Sequence, residues 1–369
     1  MFRKIFFYFL TAIFFSFFYL TLDFIISNTL LKSDYCYEYK TSEKGYFYYL
    51  KKNCQGKGRF KRGFPIANLF SDEMGLRTGK KVKKNPNNKN ILTFGDSMTF
   101  GVGLEYEDTY VGLIDKKMTN YNIYNFAVGS YSPSVHLYKL KTAIKNNIVP
   151  HKILLFLDLS DVLDESQRWI DDEQDGIPKR PGITPNWGKK GEPKRGFIDR
   201  NFKLSKELSA LVRFNLRFLR SEIKNMSKTN NKNLKIKTSI QGQYTYTKIE
   251  NLDKRFWKKN YFSKGLKKIK EKIDEISLLA KRHNSEFYLI IYPWAETLEL
   301  GQKQFSWSDF GKGLCKNGNC ILINAIPEFK NYKENNKNWV NKLYFLNDEH
   351  LNRGGAKLLS EIVIKELNK

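Results

Sequence analysis

Two short stretches carry residue types that could do chemistry together. One is FGDSMTFG, Phe94 to Gly101, which sets Ser97 between two glycines at the end of an apolar run. The other is NDEHLNRGG, Asn347 to Gly355, where Asp348 stands two residues before His350, one of only four histidines in the chain. A serine hydroxyl is a weak nucleophile until a base within hydrogen-bond reach takes its proton. Histidine supplies such a base, and a carboxylate on the same loop can fix its tautomer and stabilise the imidazolium. Ser97, His350 and Asp348 are therefore the candidate nucleophile, base and orienting acid. Asp96, beside the nucleophile, and Asn125 are read as structural groups that hold turns.

For residues some 250 positions apart to meet, regular elements must carry them to one edge. Short apolar runs bounded by turn residues predict buried strands at Asn90–Phe94, Tyr121–Phe126, Ile153–Leu159 and Glu286–Tyr292, with a fifth at Cys320–Ile323. Apolar residues at i, i+3, i+4 predict helices over 109–118, 134–146, 264–282 and 354–367. Strands alternating with helices give an α/β fold, a three-layer sandwich with a central parallel sheet. Ser97 then lies at the carboxyl edge, where ligands bind in open α/β sheets. Between the third and fourth strands an insertion at about 165–260 breaks the alternation. It starts acidic, with eight Asp or Glu and only Arg168 as a base from Asp158 to Asp175. A Gly-, Pro- and Lys-rich stretch over 176–196 and a basic helix near Phe202–Met226 follow. Such an insertion is a lid or substrate platform, or a surface decoration. Trp169, Trp187, Trp257, Trp294 and Trp307 are core packers or, where a face is exposed, platforms for sugar rings.

The N-terminus is of another kind. Residues 5–22 run eighteen long without a charge, and after Asp23 the run resumes with Phe24, Ile25 and Ile26. About 20 apolar residues in a helix span the ~30 Å hydrocarbon core of a bilayer. Arg3 and Lys4 precede the run, so the N-terminus is expected in the cytoplasm and the rest of the chain outside it. The segment after it, SNTLL, lacks the small-x-small pattern of a cleaved signal peptide, so an uncleaved anchor is expected. The chain thus divides into a cytoplasmic tip and anchor (1–27), an extracytoplasmic connecting region (28–87) and a catalytic domain (88–369). In an oxidising compartment the pairs Cys36–Cys54 and Cys315–Cys320 are expected as disulfides, the alternative being four thiols. Neither pair has a zinc spacing with a nearby histidine, and no metal or cofactor is expected.

The charge balance, 64 − 38 = +26, favours an anionic partner, although a Lys- and Asn-rich, Arg-poor composition accounts for part of it. An anionic glycan or lipid headgroups fit that charge. Nucleic acid does not fit, because the anchor turns the basic surface away from it. With 41% hydrophobic residues and 15% aromatics, global disorder is excluded.

Taken together these motifs resemble the SGNH hydrolases, the GDSL esterase superfamily, over about residues 88–369 with the insertion unmatched. The resemblance carries the nucleophile onto Ser97 of Gly95-Asp96-Ser97, and an oxyanion-binding backbone N–H onto Gly129 of NFAVGSYS. It carries the catalytic Asp and His onto Asp348 and His350. In the third block, typically G-x-N-D, the stretch is Asp158-Leu159-Ser160-Asp161, so Ser160 stands where an oxyanion-donating Asn is expected. Many members have D-x-x-H, which would put the acid at Asn347. The D-x-H found here resembles the branch of alginate O-acetylation proteins. What the resemblance implies is a membrane-anchored serine ester hydrolase acting on O-acyl groups of a glycan or lipid, with an oxyanion hole from Ser97, Gly129 and Ser160. Two alternatives stay open. One is an O-acetyltransferase in surface-polysaccharide assembly, fed by a membrane-bound acyltransferase partner. The other is an inactive SGNH fold that binds glycans.

Overall fold

A computed structural model describes residues 2–29, 36–58, 64–80, 84–172, 174–182, 198, 201–202, 204–205, 208–209, 212, 244–245, 260–346 and 348–369. Most of the insertion, with its expected basic helix and with Trp187 and Trp257, lies outside the described residues, as does Asn347.

Helix α1 (Phe2–Asn28) is apolar all round, so no face of it is suited to packing on a soluble core. Its stretch Phe6–Asn28, 23 residues long, is long and apolar enough to cross a membrane and sits near the N-terminus, where signal sequences have the same character. The connecting region after it contains, among its described residues, five strands: β1 (Tyr37–Ser42), β2 (Gly45–Leu50), β3 (Gln55–Gly58), β4 (Ala67–Ser71) and β5 (Arg77–Thr78). Strands β1 and β2 pair as an antiparallel hairpin whose Tyr46, Phe47 and Tyr48 are buried with Tyr131 and Trp169. Aromatic clusters of this kind bury area in strands whose Tyr-rich sequence does not read as an apolar run.

Five more strands follow: β6 (Lys89–Phe94), β7 (Tyr121–Asn125), β8 (Lys152–Leu157), β9 (Glu286–Ile291) and β10 (Ile321–Asn324). Among the described residues the sheet has eight strands in the order β10-β9-β8-β6-β7-β5-β4-β3. Its five later strands are mutually parallel, and β5, β4 and β3 extend one edge antiparallel. The sheet is therefore mixed, with a parallel heart. β8, KILLFL, is buried at every residue, as befits a strand covered on both faces.

Within the parallel heart the chain visits the strands in the flavodoxin-like order, so the direction of winding reverses after β7. Right-handed crossovers then force the connecting helices onto opposite faces. Helix α3 (Tyr110–Lys117) packs with the last helix, α11 (Arg353–Leu367). Helix α4 (Pro133–Lys145) packs with α6 (Tyr261–Arg282), which also meets α8 (Trp307–Leu314). The reversal leaves a crevice beyond the carboxyl ends of β6 and β8, and the short helices α2 (Ser97–Phe100) and α5 (Asp161–Leu163) open at its two sides. A π turn, Asp164–Arg168, continues α5. Near the C-terminus α7 (Ala295–Leu300), α9 (Ile326–Asn335) and α10 (Trp339–Leu343) complete the described helices. Disulfides join Cys36 to Cys54 and Cys315 to Cys320.

Candidate active site

The loop after β6 turns at Gly95, where a Cβ would lie 1.9 Å from Thr99 Oγ1, so only glycine lets the turn close on α2. Asp96 caps α2, its Oδ1 accepting the Met98 N–H at 2.8 Å. Ser97 is thereby the first helical residue, its hydroxyl half-exposed at the sheet edge and its N–H donating to no group among the described residues.

His350 arrives from the loop before α11. Its Nε2 lies 2.8 Å from Ser97 Oγ, and its Nδ1 lies 2.5 Å from Asp348 Oδ1. The same Asp348 oxygen accepts the backbone N–H of His350 at 3.0 Å. That local turn is why a two-residue spacing works here. An Asx turn folds a carboxylate back over the residue two places on, and in this case over its imidazole as well. With Nδ1–H donated to Asp348, Nε2 is left as the acceptor for the serine proton. Both ring nitrogens are thus engaged. Although Asp348, Glu349 and His350 bring ligating atoms within 4.8 Å of one another, no imidazole nitrogen remains for a metal.

Gly129 follows β7. A Cβ there would stand 3.7 Å from Ser97 Cβ, so the loop passes directly beside the nucleophile. The Gly129 carbonyl accepts from Tyr48 Oη at 2.7 Å, and the Ser130 carbonyl accepts from Trp169 Nε1 at 2.6 Å. These bonds hold Ser130 in the left-handed region, at φ 58, a strained conformation for a residue with a side chain. Strand β2 therefore helps to build the site. Arg77 of β5 gives the same support elsewhere, donating to Gly101 O at 2.9 Å and Leu104 O at 2.6 Å while stacking over Phe100. Phe64 packs edge-on against the His350 ring. None of Tyr48, Phe64 and Arg77 lies in a chemical motif, so no signal in the sequence pointed to them.

The third wall comes from the loop after β8. Ser160 lies in it, and its Oγ donates to Asp158 Oδ1 at 2.6 Å. Asp158 also accepts the Ser160 N–H at 2.8 Å and Trp294 Nε1 at 2.8 Å. The Asp158 N–H in turn donates to Asp161 Oδ2 at 2.9 Å. The acidic run thus carries internal polar bonds. Glu165 continues the pattern by accepting from the N–H and hydroxyl of Ser134 at the start of α4, at 2.6 and 2.7 Å. Burial raises the Asp161 carboxyl well above its ordinary range and the Asp164 carboxyl to about 7, the latter despite Arg168 at 2.7 Å. Trp169, Trp294 and Trp307 are buried and offer no exposed face to a sugar, while Trp339 of α10 is half-buried.

Around Ser97 these walls enclose a cavity of about 170 Å³. Asp96, Asp158, Ser160, Arg168, Trp294 and Glu349 are among its lining groups, with Ser97 and His350 at the centre. Of the sequence-selected site residues, Ser97, Ser160 and His350 line this crevice, with Gly129 beside Ser97 and Asp348 bonded to His350.

No protein-family model matches the chain, and no curated protein matches it in sequence. Among solved structures the chain is similar to TesA at 11% identity, covering 76% of this chain and 98% of that one with a TM-score of 0.40. It is similar to a member of the lipolytic protein G-D-S-L family from Veillonella parvula at 10% identity, covering 76% and 99% with a TM-score of 0.41. It is also similar to a catalytic mutant of Axe2, an acetylxylan esterase from Geobacillus stearothermophilus, at 12% identity, covering 77% and 96% with a TM-score of 0.41.

Proposed function

We propose that this chain is a membrane-anchored serine ester hydrolase that acts on short O-acyl esters of a glycan or lipid. The observation that carries the reading is the unbroken relay from Ser97 Oγ through His350 to Asp348, at 2.8 and 2.5 Å. Ser97 Oγ attacks the ester carbonyl as His350 Nε2 takes its proton, and Asp348 stabilises the imidazolium. The unengaged N–H of Ser97 and that of Gly129, beside it, face the developing oxyanion. The leaving alcohol takes the proton from His350, and water, activated by the same base, then resolves the acyl-enzyme.

The size and lining of the cavity favour a short acyl group. At about 170 Å³ it is below the ~300–1,000 Å³ of pockets that enclose drug-sized ligands. Among the described residues only Met98 and Trp294 of its lining are apolar, which suits an acetyl-sized group better than a long chain. Arg3 and Lys4 before the apolar run, and the two disulfides, support a topology with the catalytic part outside the cytoplasm.

The test avoids guessing the ester. Full-length protein in detergent is treated with a fluorophosphonate probe beside Ser97→Ala and His350→Ala. Wild type is expected to label and both variants to stay unlabelled. Folded wild type that does not label would overturn the reading and turn attention to glycan binding without catalysis.

A further inference from the structure

Two backbone N–H groups serve the oxyanion, but the donor expected after β8 is committed elsewhere. Ser160 gives its hydroxyl proton to Asp158 at 2.6 Å, and Asp158 is fixed in place by the Ser160 N–H and by Trp294. Another oxygen faces the opening that this leaves. Asp96 Oδ1 is occupied by the Met98 N–H, whereas Oδ2 stands 3.4 Å from Ser97 Oγ and 3.4 Å from Ser160 Oγ. The Ser97 proton is directed to His350 and the Ser160 proton to Asp158. Neither long contact therefore brings Oδ2 a good donor. A buried carboxylate oxygen so placed is costly unless it carries a proton of its own.

We propose that Asp96 is a catalytic residue whose carboxylic acid, protonated on Oδ2, donates a hydrogen bond to the oxyanion formed at Ser97. This rests on the serine-esterase reading above and adds a residue that reading leaves as a helix cap. As the Ser97 Oγ–C bond forms, the carbonyl π pair moves to oxygen and the serine proton goes to His350 Nε2. Asp96 keeps its proton throughout. When the intermediate collapses, the bond to the leaving oxygen breaks and the acid hydrogen bond is released.

The surroundings keep the acid neutral. Asp96 is buried, and it is faced by Asp158 from the loop after β8, by Asp161 at the start of α5, by Asp164 of the π turn and by His350 from the loop before α11. Tyr110 of α3 and Tyr292 beyond β9 stand behind it. Burial first, and the Asp158 carboxylate next, push the Asp96 carboxyl up to about 8, with His350 acting the other way. A carboxylic acid kept neutral by an apolar site so that it can donate is an established catalytic device in other folds.

The experiment follows acylation by p-nitrophenyl acetate from pH 5 to 10, using full-length protein in detergent. The wild-type rate is expected to fall about tenfold per pH unit above a midpoint near 8, as Asp96 ionises. Asp96→Asn keeps the Met98 cap through Oδ1 and presents an N–H at the Oδ2 position at every pH. It should stay within about tenfold of wild type at pH 7 and lose the alkaline fall. Asp96→Ala should lose about 10²–10³-fold across the range, the usual cost of one oxyanion donor. An Asn variant that keeps the wild-type alkaline fall, or a folded Ala variant at the wild-type rate, would overturn the proposal. If the Ala variant does not fold, the Asn profile alone decides. Fluorophosphonate labelling of wild type separates this failure from failure of the esterase reading. A wild type that neither labels nor cleaves overturns both.

Discussion

On one side of Ser97 the His350 imidazole and the Asp348 carboxylate stand in line, both from one loop and bonded to each other within it. On the other side Asp96, Asp158 and Asp161, from two loops, meet Asp164 of the π turn, and burial raises the Asp96 and Asp164 carboxyls to about 8 and 7. The residue type is the same on both sides, yet the environment sets opposite tasks. In the mechanism proposed above, Asp348 works as a charge beside an imidazole that becomes cationic, and Asp96 as a neutral acid beside an oxygen that becomes anionic. A carboxylate's role in this crevice thus follows from what its second oxygen meets, more than from its distance to the nucleophile.

The sharpest way to break the comparison is on the Asp348 side. Asp348→Asn keeps the shape of the Asx turn but favours the wrong imidazole tautomer, and an equivalent change in a serine-protease triad costs about 10⁴ in turnover. A loss of that order in p-nitrophenyl acetate hydrolysis, with unchanged thermal stability, is expected. A loss below tenfold would show that His350 does not need its carboxylate, and the relay would cease to be the centre of the site.

The Ser160 position tests the other side with a smaller effect. Were its hydroxyl the third oxyanion donor, Ser160→Ala would cost about 10²–10³-fold. Because the hydroxyl is spent on Asp158 at 2.6 Å, the expected loss is under tenfold. Steady-state turnover at pH 7 decides, and a loss of a hundredfold would return the donor role to Ser160.

These contrasts also mark what could be read in advance. The five parallel strands and the four long helices were legible because buried strands and amphipathic helices leave periodic apolar runs. Lys152–Leu157 and Tyr261–Arg282 are the clearest cases. Ser97, Asp348 and His350 were legible because each stands at a junction with its neighbours in close spacing. Strands β1 to β5 were not, since their stability comes from Tyr and Phe clusters and from pairing with distant partners, as Arg77 does with Asn125 across β5 and β7. Nor was the commitment of the Ser160 hydroxyl, because hydrogen-bond direction depends on where Asp158 and Trp294 arrive in space.

Stability against pH separates the two sides again. The Asp96 carboxyl sits near 8 in the fold and near an ordinary 3.9 unfolded, so the native state binds more protons over that window. This contribution to stability is complete below about pH 4 and is lost as pH rises through about 8. Asp96→Asn, neutral at every pH, should therefore raise the melting temperature at pH 8.5 by several degrees and change it little at pH 5. Equal shifts at both pH values would mean that Asp96 is already ionised in the fold.

The smallest expected effect comes from a buried base away from the crevice. His136 on α4 is fully enclosed, its ring against Phe94, with neither ring nitrogen hydrogen-bonded among the described residues, and burial lowers its pKa to about 3. Its sign is opposite to that of Asp96. Between about pH 3 and an unfolded value near 6.5 the unfolded chain binds the extra proton, so stability rises with pH and is complete above that window. The slope is at most ~1.4 kcal/mol per pH unit. His136→Phe removes the titration while keeping an aromatic ring beside Phe94. Urea unfolding midpoints between pH 4.5 and 8 should then show a shallower acid-side fall in the variant, with the alkaline side left to the aspartates. An unchanged acid-side slope would mean that water or a local opening reaches His136. The contrast between a base and an acid buried in one fold would then rest on Asp96 alone.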